Sequence, residues 1–503
     1  MIHDFYADTE VFVTGGSGAV GKALIEKLLR SCDVRKVYIL LRTKKNFSIE
    51  QRLEKLKNAK VFKVLRATKP HMFERLVPIP GDAILPNLGI SPEHIALMEN
   101  VSVVFHCAAT VRFDEPLRVA LKLNVGATYE ALLFAEKLKN LKIFLHVSTF
   151  YSNPYLKRVE PKIYDSPLDW RMCLKLVQDD SKREALDILT RKLIIGFPNT
   201  YTFTKNLAES VVNDFRGRIP IAIYRPSIVL HALSDPIPGY PPTIMGAMGL
   251  FVLVGAGILK TVFMSYTLRF DITPQDVSIK TMLYYAYRAA KEYRENNAIV
   301  EAPVYMSSSS QHSPHTFYQM CHIMENGLWY EAAFEKNFMI PSCHYTNNRF
   351  VYKFLVFTKQ ILPAMLADGL IVAFGRKPIL MSIVRKAYIT LEVMQPFLFN
   401  TYDSPGMTHI DDMMKVTKGT EFDLMPEITQ AKTDEGLTDI CRTMIFSIRE
   451  YLLNEDPKTI PIAQKRLRIK RLVYNIFRAI IAYFILRWFY GFMVNYIEEA
   501  AAN

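Results

Sequence analysis

Glu10-Val-Phe-Val-Thr-Gly-Gly-Ser-Gly-Ala-Val-Gly-Lys22 is the stretch that decides the fold of this chain. Glu10-Val-Phe-Val13 reads as a short buried strand, and residues 22–30 carry Leu24, Ile25, Leu28 and Leu29 at helical spacing. Between them Gly15, Gly18 and Gly21 form G-x-x-G-x-x-G, with Ser17, Ala19 and Val20 in the same turn. Val37-Tyr-Ile-Leu-Leu41 is the next strand, so strand, glycine turn, helix and strand make one βαβ unit. The early glycines let the backbone approach a pyrophosphate, Gly21 lets the helix pack on the sheet, and the helix N-terminus favours the phosphate charge. A tight turn with no ligand is the plainer alternative, which the flanking strand and helix argue against.

Further along, Val101-Ser-Val-Val-Phe105 ends at His106-Cys107-Ala108-Ala109. Ile143-Phe-Leu-His-Val147 ends at Ser148-Thr149, and Ile221-Ala-Ile-Tyr224 ends at Arg225-Pro226-Ser227. Apolar strands separated by helical stretches predict an α/β fold, a doubly wound parallel sheet of Rossmann type whose ligands sit at the carboxyl ends of the strands. An acid at the end of the second strand would bind a ribose 2′-hydroxyl. Arg42 stands there instead, with Lys44 and Lys45 behind it, which favours a 2′-phosphate and hence NADPH over a merely solvated basic loop. Asp82, after Val77-Pro-Ile-Pro80, is placed to accept from an adenine amino group, and reads equally as an ordinary turn residue.

Tyr201-Thr-Phe-Thr-Lys205 sets a phenol and an ammonium four residues apart, on one helical face. A phenol titrates near pH 10, and a cation one turn away is expected to lower that value, so that Tyr201 can exchange a proton at neutral pH. The hydroxyls of Ser148 and Thr149, at the preceding strand end, can bind a developing oxyanion. Alone the Tyr/Lys spacing is weak. Phosphate turn, hydroxyl strand end and Tyr/Lys helix in that order are specific.

On these residues the chain resembles the extended short-chain dehydrogenase/reductases, and within them the fatty acyl-CoA reductases. Supporting segments are Pro78-Ile-Pro-Gly-Asp82, Val104-Phe-His-Cys-Ala-Ala-Thr-Val-Arg-Phe-Asp-Glu115, His146-Val-Ser-Thr-Phe-Tyr-Ser-Asn153, Tyr224-Arg-Pro-Ser-Ile228 and Pro236-Ile-Pro-Gly239. The later half, with Leu362-Pro363 and Tyr451-Leu-Leu-Asn-Glu-Asp456, is similar to that family's helical C-terminal domain. The resemblance implies reduction of a long-chain acyl-CoA by NADPH to a primary alcohol, through a bound aldehyde, with release of CoA. It implies Tyr201 as general acid, Lys205 as its partner and ribose ligand, and Thr149 as the oxyanion-binding hydroxyl, with Ser148 the alternative. Ala108 and Ala109 would line the cofactor, and Pro226 and Ile228 would close over the nicotinamide. Asn124 would also lie at the cofactor, and belongs to Asn124-Val-Gly-Ala-Thr128, similar to the family's Asn-Val-x-Gly-Thr except that Ala127 replaces a glycine. No metal is expected. The alternatives are another extended reductase, acting on a sterol or sugar nucleotide, and a non-catalytic membrane-bound protein that binds acyl-CoA and NADPH.

Three parts are expected: residues 1–345 as the cofactor and catalytic domain, 346–456 as a helical domain, and 457–503 as a basic linker and membrane-associated tail. The stretch 244–259 is apolar but shorter than a membrane span, and reads as core or as a flexible wall for an acyl chain. Residues 472–497 are long enough to cross a bilayer, although Arg478 and Arg487 interrupt them on nearly opposite faces. A span would cost about 2.5 kcal/mol or more for the inner arginine unless it snorkels. An interfacial helix or a partner helix are the other readings. Lys465-Arg-Leu-Arg-Ile-Lys-Arg471 would face the cytosol, keeping the catalytic part with its cofactor. The endoplasmic reticulum is the favoured membrane and the peroxisome the second.

Composition agrees. The 503 residues are 50% hydrophobic, and 62 Lys and Arg against 49 Asp and Glu leave a net +13. Such a chain folds rather than remaining disordered, and its charge suits nucleic acid or an anionic membrane. No nucleic-acid motif accompanies the basic residues, so a lipid surface is the expected partner. The six cysteines form no C-x-x-C, and suit a reducing compartment. The first residues hold early acids and no apolar core, so a cleaved signal peptide is not expected.

Overall fold

The computed structural model describes residues 2–43, 47–179, 181, 183–269, 271–295, 301–309 and 314–502, with side chains as far as residue 495. The expected strands are present: β1 (Glu10–Thr14), β2 (Lys36–Leu41), β3 (Leu76–Pro80), β4 (Val101–His106), β5 (Ile143–Val147) and β6 (Ile221–Pro226). Four shorter ones follow among the described residues as β7 (Ile228–Val229), β8 (Thr261–Phe263), β9 (Ile272–Thr273) and β10 (Val304–Ser307), then β11 (His344–Thr346). Seven of these make one parallel sheet in the order β10-β6-β5-β4-β1-β2-β3. Pro78 and Pro80 lack amide donors and are tolerated because β3 is an edge strand.

Period-two alternation distributes each strand between two cores. Val11, Val13, Val37, Ile39, Val103 and Phe105 face one cluster, while Phe12, Tyr38, Leu40 and Val104 face the other. The helices used below are α1 (Ala19–Ser31), α2 (Thr200–Asp214), α3 (Gln275–Glu295), α4 (Arg349–Val356), α5 (Leu362–Ala373), α6 (Leu380–Phe399), α7 (Asp434–Ser447) and α8 (Ile460–Ala502). The C-terminal helical region shares its packing with the sheet region. Met407, Met413 and Phe422 join the core that holds α1 and α3, and Leu391, Met394 and Met444 join a third cluster with residues of 230–268 and 317–334.

One stretch differs from expectation, and another takes the core reading of its two. Residues 457–461, the start of the expected basic linker, are helical: Asp456 accepts from Lys458 N at 2.8 Å, Pro457–Thr459 forms a 3-10 turn, and α8 begins at Ile460. Prolines at the start of a helix cost no hydrogen bond, because the first amides have no intrahelical partner. The basic run 465–471 therefore lies inside a helix. Its Leu467 is buried, and Lys470 Nζ donates to Asn337 O at 2.6 Å. Within 244–259, Ala247–Gly255 is a helix whose Met248, Leu250, Phe251, Val252 and Val254 are core residues, so this stretch is a packed element.

The glycine turn is demanded by close approach. Gly15 has φ +71°, and a Cβ there would stand 2.6 Å from Ala108 N; a Cβ on Gly21 would stand 2.4 Å from Gly15 O. Gly369, on exposed α5, meets nothing within 4 Å. Gly21→Ala is therefore expected to destabilise by roughly 1–3 kcal/mol, and Gly369→Ala to be neutral or to stabilise by about 0.5–1 kcal/mol. Chemical denaturation of the two variants checks this; equal midpoints would contradict it.

Candidate active site

The chain leaves β3 at one edge and returns as β4 beside β1, so winding reverses between β1 and β4, where α/β sheets hold ligands. Thr14 Oγ1, at the end of β1, bonds His106 Nδ1 at 2.8 Å and accepts from Ala108 N at 3.3 Å. The two strand ends are thus stapled. Ser17 and Gly18 are exposed, and Ala19 and Val20 are half-buried. The N-terminus of α1 has no side-chain cap at Gly18 and no acid in its first turn. That end offers backbone amides and positive dipole to an anion, so the turn fits a dinucleotide pyrophosphate.

Arg42 is exposed at the end of β2, and its carbonyl accepts from Arg52 Nη1. Lys44 and Lys45 lie outside the described residues. Asp82 closes a turn: its N–H donates to Leu88 O at 2.8 Å and its Oδ1 accepts from Ile84 N at 3.3 Å. Of its two sequence readings, the turn is the one these bonds describe. Ala108 and Ala109 are half-buried beyond β4. Asn124, expected at the cofactor, is fully buried, with Oδ1 accepting from Thr110 N at 2.8 Å and Nδ2 donating to Thr204 Oγ1 at 2.9 Å. Its carboxamide is committed to holding the 108–110 loop on α2. Pro226 ends β6, and Ile228 starts the short ladder of β7 with β9.

α2 carries the Tyr/Lys pair, and Asn199 caps it, accepting from Thr202 N at 2.9 Å. Thr149 is buried just past the end of β5, its hydroxyl accepting from Tyr151 N at 3.3 Å, and it stands near enough to the Tyr201 phenol to lower its pKa. Ser148 faces elsewhere and donates to Glu209 Oε1 at 2.5 Å. Glu209 in turn receives Arg225 Nε at 2.9 Å and Nη2 at 2.6 Å, a fully buried pair. Of the two candidate hydroxyls, the structure brings Thr149 to Tyr201 and commits Ser148 to this ion pair.

Lys205 Nζ donates to Val147 O at 2.6 Å. Burial pulls its pKa down to about 8, against the opposing attraction of Glu209 and Cys107. Tyr201 moves the other way: burial raises its phenol to about 12, and the neighbouring Thr149 hydroxyl offsets only part of that. The expected lowering by Lys205 is thus corrected: desolvation sets the direction, and the lowering influence on the phenol comes from Thr149 rather than from the cation. At neutral pH Tyr201 is a protonated donor. Beneath the site, burial holds the stacked His106 and His146 below the usual imidazole range, so both stay neutral.

Sequence reasoning missed the aromatic neighbours. Phe113 lies 5.7 Å from Tyr201, and Phe397 of α6 lies 5.7 Å from Phe113. It also missed Glu209, although an acid four residues after Lys205 on the same helix was a readable signal.

This sheet, with an anion-binding turn and a Tyr/Lys helix beside a threonine-bearing strand end, defines an oxidoreductase of the short-chain dehydrogenase/reductase class. The NAD-binding family described as male sterility protein matches residues 13–282. The chain is 33% identical over 475 residues to the fatty acyl-CoA reductase wat of Drosophila melanogaster, covering 94% of this chain and 89% of that one. It is 31% identical over 495 residues to fatty acyl-CoA reductase 1 of Homo sapiens, covering 97% and 93%. The chain belongs to the fatty acyl-CoA reductase family, and its cofactor is a nicotinamide dinucleotide. In fold it is similar to the terminal R domain from the myxalamid PKS-NRPS biosynthetic pathway, with TM-score 0.58, 18% identity, and 88% and 90% of the two chains covered.

Only protonated Lys205 offers three donors, so kcat/KM is expected to fall about tenfold per pH unit above pH 8. Tyr201, near 12, stays protonated through that range. A pH–rate profile flat to pH 9.5 would contradict the assignment.

Proposed function

We propose that the chain is an NADPH-dependent, alcohol-forming fatty acyl-CoA reductase acting on long-chain acyl-CoA. The observation that carries this reading is the convergence of Thr149, Tyr201 and Lys205 beside the switch point, in a chain whose curated relatives are fatty acyl-CoA reductases. When bound, the dinucleotide supplies hydride to the thioester carbonyl, and a second equivalent supplies it to the aldehyde. Thr149 and Tyr201 hold the carbonyl oxygen through their hydroxyls, where negative charge develops as hydride arrives. In the first round the carbonyl re-forms as the C–S bond breaks, and CoA leaves as a thiolate that takes its proton from solvent. In the second, Tyr201 gives its phenolic proton to the oxygen, and the product is a primary alcohol. Lys205, pinned to the end of β5, holds the ribose and restores the proton. Gly15, Ser17, Gly18, Ala19 and Val20 hold the pyrophosphate, and Arg42 the 2′-phosphate.

We also propose the three-part division 1–345, 346–456 and 457–503 as catalytic, helical and membrane-associated regions. Two helical stretches, Arg349–Ala373 and Pro457–Asn495, are long and apolar enough to cross a membrane, by length and composition. The apolar window of the second is unburied, which supports a membrane tail. The endoplasmic reticulum is the favoured compartment and the peroxisomal membrane the second, with the catalytic region in the cytosol.

Tyr201→Phe is expected to lower kcat by roughly 10²–10⁴-fold while leaving cofactor binding within a few-fold; full alcohol formation by this variant would overturn the role. Arg42→Asp should move the NADPH/NADH ratio of kcat/KM toward NADH by about tenfold or more, and an unchanged ratio would remove the 2′-phosphate assignment. Because Ala463 and Leu467 pack on the protein, the informative truncation removes residues 472–503. It should lower the fraction that pellets with membranes extracted at high salt, and undiminished pelleting would exclude the tail as an anchor.

A further inference from the structure

The helices α4 and α5 form one apolar rod, of which the described residues cover one side. Tyr352, Val356, Gln360, Ala364 and Asp368 are its buried stripe. A strict four-residue spacing drifts about 40° per step around an ordinary helix. The π-helical turn Phe357–Ile361 widens the winding between α4 and α5 and keeps the stripe inward. Two polar anchors fix this side: Gln360 Oε1 accepts from Lys260 N at 2.6 Å, and Asp368 accepts from Ile379 N and Leu380 N at 3.0 Å and Met381 N at 2.8 Å. Asp368 thereby closes the hairpin between α5 and α6. A rod tied down in this way cannot cross a bilayer as an isolated span.

Its outer side has no protein cover among the described residues. Phe354, Phe357, Leu366, Leu370 and Phe374 are exposed there, Phe374 to 82%. Residues 349–391 contain seven Lys and Arg and one acid, the inward-turned Asp368. Arg376 and Lys377 stand at the exposed tip, and Arg385 and Lys386 are exposed on α6. An apolar face bordered by cations matches an anionic bilayer surface, with the rings among the acyl chains and the cations at the headgroups. The far end of α6 reaches the active site: Phe397 lies 5.7 Å from Phe113, which lies 5.7 Å from Tyr201.

We propose that the α4–α6 hairpin is a second membrane contact, lying in the plane of an anionic bilayer rather than spanning it. Its inner end carries long acyl chains between the lipid and Tyr201, a step that rests on the proposed activity. The docking itself does not.

The full chain in vesicles of phosphatidylcholine with about one-fifth phosphatidylserine, carrying a diazirine-acyl phosphatidylcholine, tests this by photolabelling and peptide mass spectrometry. Adducts are expected in residues 354–389 as well as in the tail. Leu366→Asp/Leu370→Asp changes two exposed side chains, and should cut hairpin adducts about tenfold while sparing tail adducts. The same variant should lower kcat/KM for palmitoyl-CoA on vesicles about fivefold or more and leave water-soluble octanoyl-CoA within about twofold. Adducts confined to the tail would overturn the proposal, as would crosslinks joining hairpins of two chains in place of lipid adducts. Hairpin adducts in a protein that reduces neither substrate would uphold docking and refute the proposed activity instead.

Discussion

Gly15 and Ala108 bring two backbones so close that one added carbon on Gly15 would lie 2.6 Å from an amide nitrogen. That approach exists because β1 and β4 are sheet neighbours whose connections leave in opposite directions. The Thr14 hydroxyl then fastens both strand ends, through His106 and Ala108. With this floor fixed, the uncapped end of α1 faces one side of the cleft, and the ends of β5 and β6 face the other. Positions of cofactor turn, threonine and tyrosine all follow from the one juncture.

Burial governs the chemistry above that floor. Desolvation pulls the Lys205 pKa down, and Glu209 on the next turn of α2 counters it. Glu209 also neutralises buried Arg225 and takes the Ser148 hydroxyl. One carboxylate therefore supports the lysine, anchors β6 and removes a competing hydroxyl from the site. A buried charge that loses its partner is costly, so these groups stand or fall together.

Much of the sheet was readable because parallel strands buried on both faces appear as apolar runs, as in Glu10-Val-Phe-Val13 and Val101-Ser-Val-Val-Phe105. β10, Val-Tyr-Met-Ser, is too short and mixed to stand out, and is a strand because β6 offers it a partner. The Tyr/Lys pair was legible from spacing, but the direction of Tyr201's shift depends on burial that no local pattern reports. Ser148 and Thr149 are chemically alike in sequence, and only Glu209, sixty-one residues from Ser148, separates them. Phe113 and Phe397 meet across the whole fold. In α4 and α5 the apolar residues were evident, while which side the body covers was not.

The central claim, that this site reduces a thioester twice, is tested most directly by following the hydride. Purified enzyme with palmitoyl-CoA and NADPH deuterated on the transferring face of its nicotinamide should yield hexadecanol carrying two deuterium atoms at C1. Alcohol without deuterium at C1, a released aldehyde with a single deuterium and no alcohol, or no product at all would contradict the account.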